Sequence, residues 1–135
     1  MRLEVTRRAE LAVRALSEIE HRGGRVKGRE LAELLGTSPS FVAQVAAPLV
    51  RAGWLRSDPG PTGGYALATA VGDVSVLDVI EAVDGPTDTG RCVVTDHPCD
   101  PADPCVLHGA WILAREQLRV ALAAAPLPRG PGGPS

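Results

Sequence analysis

The chain has 135 residues, an ordinary share of apolar side chains and a formal net charge of −2, which fits one domain or a domain with a short extension. Residues 1–60 carry ten Lys/Arg against seven Asp/Glu, and residues 61–135 carry four against nine, so a basic half precedes an acidic one. No apolar run is long enough to cross a bilayer and no signal-peptide pattern opens the chain, so a cytoplasmic protein without a membrane partner is expected, and three cysteines, an odd number, argue against a disulfide framework there.

Taken in order, residues 6–22 place Leu11, Ala15, Leu16 and Ile19 at helical spacing, and Gly23 and Gly24 end that helix. Residues 28–35 predict a short second helix with Gly36 just beyond it. Ser38 is the expected N-cap and Pro39 the first residue of a third helix over about 39–52, bent by Pro48. Residues 54–57 and 65–69 read as two strands around the turn at 58–64, a hairpin directly after a helix-turn-helix. Ser75 is placed to cap a fourth helix over 76–84, closed by Gly85. An irregular, Gly- and Pro-rich loop follows, and a last helix is expected over about 105–123. Leu107, Trp111, Ala114, Leu118 and Ala121 follow a 4-3-4-3 spacing there, a seam able to pack on another helix. The segments sum to a mainly α fold with a small β-hairpin: a winged helix-turn-helix over 1–72, a helix, cysteine loop and long helix over 73–125, and a disordered tail over 126–135.

In a winged head of this kind the third helix presents its N-terminal turns to base edges while flanking groups hold phosphate. Ser38, Ser40, Phe41 and Gln44 are the base-side candidates, and Gln44 has the amide that pairs bidentately with adenine. Arg25, Lys27, Arg51 and Arg56 are candidates for the backbone of duplex DNA. Gly60, Thr62, Gly63, Gly64 and Tyr65 make the wing, whose glycines let its backbone come close to a groove.

All three cysteines, Cys92, Cys99 and Cys105, fall within fourteen positions, and His108 follows as C-x6-C-x5-C-x2-H. Three thiolates and an imidazole are soft ligands suited to an iron–sulfur cluster with a fourth ligand still to be supplied. With Cys105 opening the last helix, His108 lies one turn on and both point at one site. Zinc is the alternative metal, although no tight C-x2-C knuckle is present, and a metal-free thiol redox switch is the third possibility. Asp88, Asp96, Asp100 and Asp103 are expected to face water, as is His97. No phosphate-binding loop, nucleophile elbow or catalytic His/acid arrangement appears, which argues against an enzyme.

The wing GPTGGYALA, the following SVLDVIEAVDG and the three-cysteine loop before a final helix resemble the IscR/NsrR-type winged-helix transcription regulators of the Rrf2 family, over residues 1 to about 123. The resemblance implies a homodimer paired through its long C-terminal helices on a pseudo-palindromic operator, acting as a repressor. It also implies a [2Fe-2S] or [4Fe-4S] cluster that senses redox, nitric oxide or iron–sulfur status. It offers two fourth ligands: His108, or Glu10 contributed by the partner subunit, since TRRAELAVRAL resembles a segment that supplies such a carboxylate. Pro59 and Ala43 depart from residues that family members often use at the wing and the recognition helix, so an operator sequence does not transfer.

Overall fold

A computed structural model describes residues 3–95 and 97–128. Helix α1 spans Arg7–Arg22, α2 Gly28–Leu35 and α3 Pro39–Arg51. Strands β1 (Leu55–Asp58) and β2 (Gly64–Leu67) form one antiparallel hairpin with Leu55 opposite Leu67 and Asp58 opposite Gly64. A single 3-10 turn at Val71–Asp73 leads to α4, Val76–Asp84, and α5 follows at His108–Ala124.

Helices α1, α3 and α4 start where side chains satisfy free backbone amides of the first turn. Thr6 Oγ1 accepts from the Ala9 amide, Ser38 Oγ from Phe41, and Ser75 with Asp78 forms a reciprocal capping box at α4. Gly36 ends α2 in the left-handed conformation and turns the chain sharply toward α3, as a helix-turn-helix requires. Pro48 lies inside α3, and the helix continues past it, the Ala52 amide bonding back to the Pro48 carbonyl at 3.0 Å.

One apolar core joins these elements. Leu11, Leu16 and Ile19 of α1, Leu31 of α2 and Val42, Val45 and Leu49 of α3 are fully enclosed, and Val79 of α4 joins them. The fourth helix therefore packs into the winged head itself. Val26, between α1 and α2, pairs its backbone with Tyr65 and lays a third rung beside β2.

Two features differ from the sequence reading. The start of the proposed tail is packed: Leu127 is in the core, Pro126 bridges to Ser75, and the Ser17 hydroxyl donates to the Pro128 carbonyl. The buried Ser17 hydroxyl, which also lies 3.2 Å from the Val13 carbonyl on its own helix, gains a second acceptor this way, a long-range contact that composition does not reveal. The rest of that tail, residues 129–135, lies outside the described residues. The last helix also begins at His108 rather than Cys105, because Cys105 turns inward toward the other cysteines and the chain becomes helical only after Leu107.

Candidate metal centre and nucleic-acid interface

The segment between α4 and α5 carries the cysteines. It is held by local bonds rather than by regular structure. Asp88 Oδ1 accepts from the Gly90 amide and Asp100 Oδ1 from Ala102, both at 2.9 Å, and the Cys92 amide donates to the His97 carbonyl. Short polar side chains thus satisfy a backbone with no ladder to join. Asp88, Asp100, Asp103 and His97 are exposed, as expected, and Asp96 lies outside the described residues.

The turns bring three unbridged thiols together. Sγ of Cys92 is 3.6 Å from that of Cys105, Cys99 is 3.8 Å from Cys105, and all three sulfurs lie within 4.8 Å of one another. They face a cavity of about 210 Å³ that is also lined by His108, Trp111, Ile112 and Arg115 of α5 and by Asp88 and Arg91. Although Cys105 is not helical, His108 still joins the site. It is the first residue of α5, one turn past Cys105, and its amide bonds to the Cys105 carbonyl at 3.1 Å. Glu10 is exposed on α1, pairs with Arg14 at 3.5 Å and does not line this chain's cavity.

The donor set suits a thiophilic metal group. Three sulfurs and an imidazole share one partly enclosed cavity, and the Val94 amide points at Cys92 Sγ at 3.4 Å. Arg115 supplies positive charge on the same wall and pairs with Asp88 at 3.3 Å. Sequence reasoning missed Ile112 and Arg115. Their signal was present, because they follow His108 at i+4 and i+7 on one helix face. Trp111, read as a seam residue, lines the cavity as well.

The thiols are not equivalent. Amide donors from Val94 and Thr95 lower Cys92 to about 6. The Cys105 amide favours the Cys99 thiolate, but the neighbouring Cys92, desolvation and Cys105 outweigh it and raise Cys99. A metal-free sample therefore carries a thiolate at Cys92 near neutral pH, while a second negative sulfur beside it is disfavoured. Alkylation of metal-free protein by iodoacetamide should show a fast phase that rises through about pH 6 and levels off above it. That phase should vanish in Cys92→Ser. A first phase rising only above pH 8 would contradict the assignment.

On the head, Ser40 and Gln44 are exposed on the first turns of α3, and Phe41 is half-buried against the core. Ser38 accepts the Phe41 amide in its cap and keeps its O–H donor and one lone pair to offer. Arg51 ends α3 and is exposed. Lys27, Arg29, Gly60, Gly63, Gly64 and Tyr65 line a groove of about 520 Å³ between α2 and the wing. Two of the wing glycines answer an internal need. A Cβ on Gly63 would lie 2.0 Å from the Asp58 carbonyl oxygen, and one on Gly64 would lie 2.5 Å from that of Val26. Arg25 and Arg56 both pair with Asp58, a residue the sequence reading did not single out. Leu107, Ala114, Leu118 and Ala121 are exposed along α5, and no residue of that helix is buried within the chain.

A family model described as Rrf2, iron-dependent transcriptional regulator, matches residues 5–128. The HTH-type transcriptional regulator IscR of Cronobacter sakazakii is 32% identical over 111 residues, which is 81% of this chain and 68% of that protein. The Salmonella newport IscR is also 32% identical over 111 residues, covering 81% and 67%. Among solved structures, T. potens IscR superposes with a TM-score of 0.71 at 25% identity, over 93% of this chain and 83% of that one. Staphylococcus aureus CymR gives 0.66 at 24% identity over 90% and 93%, a likeness of fold. Described helices of the chain include none long and apolar enough to cross a membrane.

Proposed function

We propose, from the premise that the chain belongs to the Rrf2 family of transcriptional regulators, that it is a cytoplasmic, homodimeric repressor whose DNA affinity depends on an iron–sulfur group held by its cysteine loop. The observation that carries this reading is the convergence of Cys92, Cys99, Cys105 and His108 on one cavity at the start of α5. Cys92, Cys99 and Cys105 would hold the group, [2Fe-2S] or [4Fe-4S], with His108 as fourth ligand; Glu10 of the partner subunit is the alternative. Such a group supplies one-electron redox chemistry and lability toward oxidants and nitric oxide.

The chain's own residues turn that lability into a switch. The 85–107 segment is the sole covalent link between α4, which is part of the head, and the start of α5. Gathering three thiols at one point shortens and orders that link. Releasing them frees the start of α5 to swing against the head about its other end, which Leu127 and the Pro126–Ser75 bridge hold in place. In a dimer paired through α5, such a shift changes the separation of two recognition helices that must match two half-sites. Ser40, Phe41 and Gln44 would read base edges, while Arg25, Lys27, Arg51, Arg56 and the wing residues Gly60, Thr62, Gly63, Gly64 and Tyr65 would grip the backbone.

A second reading has support in the sulfur separations. A single tetrahedral ion with ligands at about 2.3 Å sets sulfurs about 3.8 Å apart, and two pairs here stand at 3.6 and 3.8 Å. Anaerobic purification with iron, sulfide and zinc analysis, followed by electrophoretic shifts on the protein's own promoter with loaded and stripped samples, tests both. Iron with sulfide and a loading-dependent shift is the expected result. Zinc alone supports the second reading, and a disulfide without metal supports a thiol switch. Equal promoter affinity for loaded and stripped protein would sink the switch.

A further inference from the structure

Asp58 sits where three parts of the wing meet. Val26 exchanges backbone hydrogen bonds with Tyr65 at 2.8 and 2.9 Å, so Arg25 emerges beside β2. Directly across the hairpin from Gly64 is Asp58. Arg25 passes over Gly64 and reaches Asp58 Oδ2 with Nη2 at 2.8 Å, while its Nη1 donates to the Thr62 carbonyl at 2.9 Å. A Cβ on Gly64 would lie 3.1 Å from Arg25 Cγ and would crowd this path. Arg56 stands two residues before Asp58 on β1, hence on the same face, and its Nε approaches the same Oδ2 at 3.4 Å. One carboxylate oxygen therefore partners both wing-side arginines.

We infer that Asp58 is a built-in competitor for DNA phosphate, which holds the trio at a net charge of +1 and restrains sequence-blind binding. The inference rests on the chain binding DNA through its winged head. All three side chains face solvent, with 41%, 59% and 32% of their surfaces exposed for Arg25, Arg56 and Asp58. Exposed pairs of this kind are weak enough to exchange partners. A phosphate that reaches Arg25 Nη2 or Arg56 Nε must displace the carboxylate, and one that takes the remaining guanidinium donors is repelled by its charge. Backbone attraction depends on how many phosphates are neutralised, whereas base reading by α3 does not pass through Asp58. The carboxylate therefore shifts the balance of binding from charge toward base contacts.

The test needs no operator. The full chain is titrated with a fluorescent duplex of arbitrary sequence, about 20 base pairs long, between 50 and 200 mM KCl. Asp58→Asn keeps the side chain's size and removes its charge, and Asp58→Ser provides a second neutral variant. Both are expected to bind more tightly at low salt. Their log–log salt dependence should steepen by about 0.9 per protomer, an additional loss of roughly 3- to 4-fold over that salt range. Adding Arg56→Gln to Asp58→Asn should return the slope to the wild-type value. An unchanged slope in both neutral variants overturns the inference. So does weaker binding at every salt with the wild-type slope, since Asp58 would then position the arginines rather than compete for them. Absence of any salt-dependent binding by the wild-type protein would instead overturn the DNA-binding reading.

Discussion

Under the proposed ligation, Cys99→Ser protein should retain about a tenth or less of the iron expected in wild-type protein after anaerobic purification. Loss of an outer-shell partner alone commonly costs 10- to 100-fold in metal affinity, and a direct ligand should cost at least as much. The serine oxygen is a hard, weakly acidic donor in place of a soft thiolate. Cys99 has no substitute nearby, because Cys92 and Cys105 are the other thiols and both already face the cavity. The variant should still fold. None of the three cysteines belongs to the core cluster, so the thermal stability of stripped protein is expected to move by no more than about 0.5 kcal/mol. Iron content with an unchanged melting curve thus isolates ligation from folding. Full iron in Cys99→Ser would overturn three-cysteine ligation. The same assay separates the two fourth ligands: His108→Ala should lose iron and Glu10→Gln should keep it. The reverse pattern would move the ligand to the partner subunit's helix.

The reasons some features were legible and others were not lie in the range of the interactions involved. Helices α1 to α4 were readable almost to the residue because their ends are written locally. Thr6, Ser38 and Ser75 each bond an amide three residues on, and Gly23, Gly36 and Gly85 close the helices. The cysteine cluster was readable because every thiol of the chain, with the imidazole of His108, is crowded into a single short segment, a pattern that soft-metal ligation explains. The start of α5 was not readable, since Cys105 is diverted by sulfurs six and thirteen residues earlier. The docking of Leu127 and Pro128 depends on Ser17 and on core space built by α1, contacts more than a hundred residues apart in sequence. Asp58 was overlooked for the same reason. As a turn residue it is unremarkable, and its importance appears only when Val26 pairs with Tyr65 and delivers Arg25 to it.

A charge placed on α5 should have the largest effect on DNA binding. Helix α5 runs 17 residues without burying one side chain in its own chain. Ile112, Leu113, Leu118 and Val120 are 43%, 64%, 44% and 55% exposed. Leu113 and Val120, seven residues apart, lie beside the stripe Trp111, Ala114, Leu118 and Ala121, so apolar side chains broaden one side of the helix. An exposed apolar face this wide calls for a covering surface, and a second α5 offers a self-complementary one. Leu113→Glu would place two like charges in that proposed interface, and a dimer paired through it is expected to dissociate in sedimentation experiments. The two half-sites would then be bound singly, and the loss of effective concentration should lower promoter affinity by at least about 100-fold. Leu113 projects into solvent, so the monomer's melting curve should be close to wild type. Leu118→Glu makes a sharper comparison. Leu118 also lines a pocket with Leu3, Trp111 and Ala114, so its variant should disturb the chain's own packing as well. If Leu118→Glu dissociates the dimer and Leu113→Glu does not, the row read from the 4-3-4-3 spacing is the centre of the interface. If neither does, α5 does not pair two copies of the chain, and the proposed switch would have to move the heads by another route.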